Sequence, residues 1–106
     1  MNTLSSHVLD TTSGKPVEGI ALTLTLPNGE TLTGTTNADG RFNDWKTTFT
    51  AGIYTLRFHC NDYLVSTHGK SFYPYIDIAF ELESAGGHYH VPLLISPFGF
   101  SSYRGS

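Results

Sequence analysis

Apolar and polar residues alternate along this chain in short runs, and each run is closed by turn residues. In Ile20–Leu26, residues Ile20, Leu22, Leu24 and Leu26 fall on one face and Ala21, Thr23 and Thr25 on the other, the period-two signature of a half-buried strand. Ile53–His59 repeats the pattern with Tyr54, Leu56 and Phe58, and Ile76–Leu82 with Ile76, Ile78, Phe80 and Leu82. Ser5–Asp10, Thr31–Thr36, His88–Ser96 and Phe98–Tyr103, with Arg41 and Phe42 leaving a tight turn, bring the expectation to seven or eight strands. The punctuation between them is turn chemistry: Thr12-Ser13-Gly14-Lys15-Pro16, Pro27-Asn28-Gly29-Glu30, Asn37-Ala38-Asp39-Gly40 and Ser84-Ala85-Gly86-Gly87, rich in residues that accept positive φ or bond their own backbone. One short helix is expected from Asn61 or Asp62, each a competent N-cap, to about His68, where Gly69 stops it and Pro74 bars continuation. The pattern predicts an all-β sandwich in a single domain spanning residues 1–106.

Composition narrows the classes. Nine acidic against six basic residues give a net charge of −3, so neither nucleic acid nor an anionic membrane surface is an expected partner. The longest apolar run, Val91–Ile95, is far short of the ~20 residues of a membrane span. Cys60 is the single cysteine, which rules out an intrachain disulfide and a multi-cysteine zinc site. Charged residues make up only 14% of the chain while Gly, Thr, Tyr and Phe are plentiful, the reverse of a disordered composition. Met1 leads into Asn2-Thr3-Leu4-Ser5-Ser6 with no basic or apolar leader segment. The expected compartment is the cytoplasm, or the periplasm had a signal peptide been removed ahead of it.

The candidate chemistry lies in histidines and one arginine. On the first strand His7 and Leu9 face away from Val8; on His88–Ser96 the set Tyr89, Val91, Leu93 and Ile95 makes the core face. The opposite face of that strand carries His88, His90, Pro92, Leu94 and Ser96, half apolar, and so either packs against another subunit or lines a pocket. Taken alone, His7 and His90 read equally as surface or interface histidines, and Arg41, following Asp39-Gly40, as a solvated loop charge. His88 and His90 at i, i+2 with His7 as a third ligand have the composition of an open zinc site, but no acidic residue flanks the pair to orient it, and no metal is expected. His59 and His68 read as surface residues. The chain has no Gly-x-Ser-x-Gly elbow, no phosphate-cradling or dinucleotide glycine pattern and no convincing carboxylate pair.

Four segments together carry a family resemblance: Ser6-His7-Val8-Leu9-Asp10, Asn37-Ala38-Asp39-Gly40-Arg41, Gly87-His88-Tyr89-His90-Val91-Pro92-Leu93-Leu94-Ile95-Ser96-Pro97 and the terminal Tyr103-Arg104-Gly105-Ser106. In this order the chain resembles the 5-hydroxyisourate hydrolases, the transthyretin-related family of urate catabolism, from about Leu4 to Ser106. Transthyretin itself replaces the terminal tetrapeptide with an unrelated tail. The resemblance implies a transthyretin-like β-sandwich of two four-stranded sheets with one short helix. It also implies a homotetramer, a dimer of dimers, with active sites in the central channel, and cofactor-free hydrolysis of 5-hydroxyisourate to 2-oxo-4-hydroxy-4-carboxy-5-ureidoimidazoline. Carried onto this sequence, it gives His7, Arg41, His90 and Ser106 catalytic roles, and His7, Arg41, Tyr103, Arg104 and Gly105 contact with substrate. His88 is the less firmly placed member of its pair, and which imidazole is the base stays open. The alternative is a transthyretin-like binder of a small ligand of the thyroid-hormone type. A hydrophobic hormone favours a wide apolar channel, whereas His7, Arg41, His90 and Tyr103 make a narrow polar one.

Overall fold

Each alternating run becomes a strand because only a sheet lets its apolar alternate residues face one way. The computed structural model describes residues 2–105. In chain order the elements are β1 (Asn2–Asp10), β2 (Lys15–Pro16), β3 (Ala21–Thr25), β4 (Thr31–Thr35), β5 (Arg41–Phe42), β6 (Gly52–His59), α1 (Asn61–His68), β7 (Ile76–Leu82), β8 (Gly87–Ser96) and β9 (Gly99–Ser102). One sheet is ordered β4-β3-β6-β7; the other is ordered β2-β1-β8-β9, with β5 as a fifth, two-residue strand against β1. The expected four strands per sheet therefore hold along each main path, and β5 is the addition. The class is all-β.

Between the sheets, Leu22, Leu24, Leu56 and Phe58 meet Leu4, Val8, Leu93 and Ile95, all at most 2% exposed; burying a side chain of this size contributes about 1.5–3 kcal/mol. Most strand boundaries fall within two residues of those the alternation predicts. There are two exceptions: Lys15–Pro16, expected in a turn, forms β2, and β1 starts at Asn2 rather than Ser5. Its added residues pair in parallel with Gly87–His90, and Asn2 Nδ2 donates to the Glu83 carbonyl at 2.9 Å. A partner more than 80 residues away leaves no local trace.

Helix α1 ends as the sequence dictates, with Gly69 at φ 84° donating its N–H to the Val65 carbonyl. Its start differs. Cys60 is the N-cap residue and no side chain caps the helix; Asn61 Nδ2 instead donates to the Tyr73 carbonyl at 2.9 Å, tying the helix to the following loop. His68, read from sequence as a surface residue, is only 16% exposed in its side chain and lies 2.7 Å through Nε2 from Asp10 Oδ2.

Asp10 is wholly buried at the end of β1. Burial raises its pKa, but the Tyr63 hydroxyl at 2.6 Å, His68, and the backbone N–H groups of Ser13 and Thr12 outweigh that, and the net direction is downward. A carboxylate whose pKa falls on folding contributes stability that is full above its unfolded value, near 3.8, and is lost as pH drops through the folded value. Asp10→Ala strands these donors and is expected to cost about 3 kcal/mol. Denaturant unfolding at fixed protein concentration measures it, and an Asp10→Asn protein should lose less stability than wild type between pH 5 and 3. A wild-type-like midpoint for Asp10→Ala would contradict this account of the corner.

Candidate active site

Two strand registers assemble the open face of the five-stranded sheet. In the parallel pair β1–β8, Thr3, Ser5 and His7 stand beside His88, His90 and Pro92 respectively. In the antiparallel pair β1–β5, His7 stands beside Arg41. Paired residues project to the same side, so His7, Arg41, His88 and His90 share one face while Leu4, Ser6 and Val8 point into the sandwich. Gly105 joins from the C-terminal side by an isolated antiparallel bridge to His90.

Arg41 owes its position to the turn before it. Asn37 Oδ1 accepts from the N–H groups of Asp39 (2.9 Å) and Arg41 (3.0 Å), and the Asn37 N–H donates to the Arg41 carbonyl. Gly40 sits at φ 72°, and its carbonyl accepts from the Val8 N–H at 2.8 Å. A Cβ there would lie 2.6 Å from the Val8 carbonyl oxygen, so both the backbone angle and the contact with β1 demand glycine. Phe42 packs edge-on against Trp45 with centroids 4.7 Å apart, fixing the strand from its other face.

The site is electrostatically biased toward neutral imidazole. His7 is lowered first by burial and then by the Arg41 guanidinium, with the Asp39 carbonyl and carboxylate pulling the other way. His90 is lowered by burial, then by Arg41, His7 and His88 in turn, with Ser5 opposing. Two part-buried imidazoles beside a permanent cation are thus free bases at neutral pH, the form that can take a proton from water. A cavity of about 240 Å³ is lined by Ser5, Asn37, Arg41, Asn43 and His88 among others, with neither His7 nor His90 in its lining.

Hydrogen bonds extend the site beyond the residues singled out from sequence. Ser5 Oγ lies 2.7 Å from His90 Nδ1 and 3.0 Å from His88 Nε2, and His88 Nδ1 lies 2.6 Å from Thr3 Oγ1. Ser5 carried no sequence signal of its own; a Thr-x-Ser-x-His alternation opposite His-x-His is meaningful only once the two strands are known to be parallel and in register.

The terminal residues divide. Gly105 donates its N–H to the His90 carbonyl at 2.8 Å, and a Cβ on it would lie 2.5 Å from His90 Cδ2. Its role is to let the tail close over the imidazole. Tyr103 and Arg104 are not brought to the histidine face. Both line a groove of about 330 Å³ between β7 and the C-terminal tail, and the Arg104 guanidinium lies 4.3 Å over the Tyr89 ring. Ser106 lies outside the described residues. Among those described, no group of three or more His, Cys, Asp or Glu side chains is arranged to hold a metal ion, and no helix is long and apolar enough to cross a membrane.

Comparison with known proteins follows the same lines. The model of the HIUase/Transthyretin family matches residues 4–105. A probable 5-hydroxyisourate hydrolase of Schizosaccharomyces pombe is 40% identical over 113 aligned positions, covering 97% of this chain and 90% of the relative. The structure of Klebsiella pneumoniae 5-hydroxyisourate hydrolase superposes with a TM-score of 0.88 at 37% identity, covering 100% of this chain and 94% of that one. Sea bream transthyretin in complex with thyroxine gives the same TM-score of 0.88 at 27% identity, with 97% and 94% covered.

The close approach of Gly105 is directly testable. Gly105→Ala should keep the fold at a cost of about 1–3 kcal/mol for overpacking. It should displace the His90 ring resonances in an NMR spectrum while those of His59 stay in place. Unchanged His90 resonances would contradict the contact.

Proposed function

This chain belongs to the HIUase/Transthyretin family, and we propose that it is the hydrolase of that family, opening the lactam of 5-hydroxyisourate to 2-oxo-4-hydroxy-4-carboxy-5-ureidoimidazoline in urate catabolism. The observation that carries the reading is the shared face of His7, Arg41 and His90, with both imidazoles lowered beside a fixed positive charge.

Opening a lactam needs a nucleophilic water, a stabilised oxyanion and a protonated leaving nitrogen. In this proposal His7 and His90 hold the water and take its proton. Arg41, planar and permanently charged, binds the carbonyl oxygens and offsets the negative charge that develops on attack. One imidazole then returns a proton to the ring nitrogen as the C–N bond breaks. Tyr103, Arg104 and Gly105 contact substrate and Ser106 completes the catalytic set, in a homotetramer built as a dimer of dimers whose central channel the His90–Leu94 face would line. Leu94, half-buried on that face, supports such packing, while Pro92 is already buried within the chain. The proposed chemistry uses no metal or cofactor.

A carrier of thyroxine-like ligands is the second reading, since sea bream transthyretin holds thyroxine on the same fold at a TM-score of 0.88. Fold similarity does not separate the two; the imidazole–guanidinium cluster favours the hydrolase.

His7→Ala, Arg41→Ala and His90→Ala are each expected to lower kcat/KM for 5-hydroxyisourate at least roughly a hundredfold, the scale of a lost acid–base or oxyanion group. The substrate is generated in place by urate oxidase and its near-UV absorbance followed. Each variant should match wild type in light scattering, and exhaustive chelation should leave wild-type activity intact. A tetrameric His90→Ala protein with wild-type turnover would overturn the assignment.

A further inference from the structure

Hydrolysis of a lactam near neutral pH leaves one proton over. Of the two protons on the attacking water, one ends on the ring nitrogen when the C–N bond breaks. The other is left on a carboxylic acid that ionises, and it must reach solvent before the next turnover. The inference therefore rests on the hydrolase reading above.

His90 has its Nδ1 turned to Ser5 Oγ at 2.7 Å. The same oxygen lies 3.0 Å from His88 Nε2, and the far nitrogen of that ring lies 2.6 Å from Thr3 Oγ1. Of the four residues His90 and Ser5 are part-buried, while His88 and Thr3 are exposed. The line runs from the site outward. A hydroxyl has one proton, so Ser5 donates to one imidazole only while accepting from the other. The protonation of His90 Nδ1 and that of His88 Nε2 are thereby coupled. An exposed imidazole is satisfied by water alone, yet both nitrogens of His88 are engaged, which a solvated surface histidine does not require. Among the described residues, the other cationic or titratable groups facing His90 are Arg41 and His7, and neither has a side-chain hydrogen bond of this kind leading toward solvent.

We propose that Ser5 and His88 form a proton relay that carries the surplus proton of each turnover from His90 to solvent. His90 takes a proton at Nε2 and releases one from Nδ1 to Ser5 Oγ. Ser5 passes its own hydroxyl proton to His88 Nε2, and His88 releases the proton on Nδ1 toward Thr3 and water. Every bond to hydrogen formed is matched by one broken, and no co-reactant is needed beyond water. His90 is the group that meets substrate; Ser5 and His88 act through it.

The test is steady-state kinetics of the full-length protein on 5-hydroxyisourate in weakly buffered solution, with imidazole added as a diffusible proton carrier. Wild-type kcat should not respond to imidazole. Ser5→Ala and His88→Gln should hold KM within about twofold and lose kcat roughly ten- to a hundredfold, as expected for an interrupted proton transfer. Imidazole should restore their kcat along a saturating curve, and Ser5→Thr, which keeps the hydroxyl, should retain most of it. Wild-type kcat in both variants, or a loss that imidazole does not restore, would overturn the relay while leaving the hydrolase assignment standing. Decay no faster than spontaneous with the wild-type protein would instead remove the hydrolase assignment and the relay with it.

Discussion

The parallel pairing of β1 with β8 is the constraint on which the rest depends. It runs without a break from Asn2 opposite Gly87 to Asp10 opposite Ile95. A slip of one residue along β1 would turn Ser5 and His7 into the core and Val8 out to solvent, away from the face that carries His90, because strand side chains alternate with a period of two. The register is held by the core on one face, with Leu4, Val8, Leu93 and Ile95 all buried, and by the Asp10 corner at its end. The free edge of β1 is then shared by β2 and β5, the second of which delivers Arg41 beside His7. The C-terminal tail closes on His90 through Gly105. Four segments far apart in sequence thus meet on a face that none of them defines alone.

Much of this was legible in the chain before any coordinates. The alternation of Ile20–Leu26, Ile53–His59 and Ile76–Leu82 fixed the strands of one sheet because period two is a local signal. The two faces of β8 were assigned correctly for the same reason. Missed were features created by distant partners: the first three residues of β1, the loss of an Asn61 or Asp62 cap to a bond with the Tyr73 carbonyl, and the burial of His68 against Asp10. Of the candidate site, His7, Arg41 and His90 come together on one face. Ser5 was invisible because its meaning lies wholly in the strand beside it. Tyr103 and Arg104 lie along the groove by β7 and not on the histidine face, a placement that no local pattern in the tail announces.

The same scaffold holds a hydrolase of Klebsiella pneumoniae and the thyroxine-bound transthyretin of sea bream at equal TM-scores of 0.88, which leaves function to the side chains on the open face of the five-stranded sheet. Here that sheet presents imidazoles whose positive form is opposed by burial and by Arg41. Such a surface is costly for an apolar ligand to cover, since buried polar groups left unpaired lose their hydration without return. It suits a small ring rich in carbonyl and N–H groups.

The central claim is that neutral His7 and His90, held so by burial and Arg41, do the proton chemistry. The pH dependence of kcat/KM for 5-hydroxyisourate tests it most directly, because that quantity reports the free enzyme's essential base. A histidine whose pKa is lowered from 6.5 stays neutral to a more acid pH than a free one. The account therefore predicts a rate that is level through neutrality and falls only below pH 6.5, along an acid limb that Arg41→Ala moves to higher pH in its residual activity. A limb at or above 6.5 in the wild type, or a rate that simply climbs with hydroxide across the range, would contradict it.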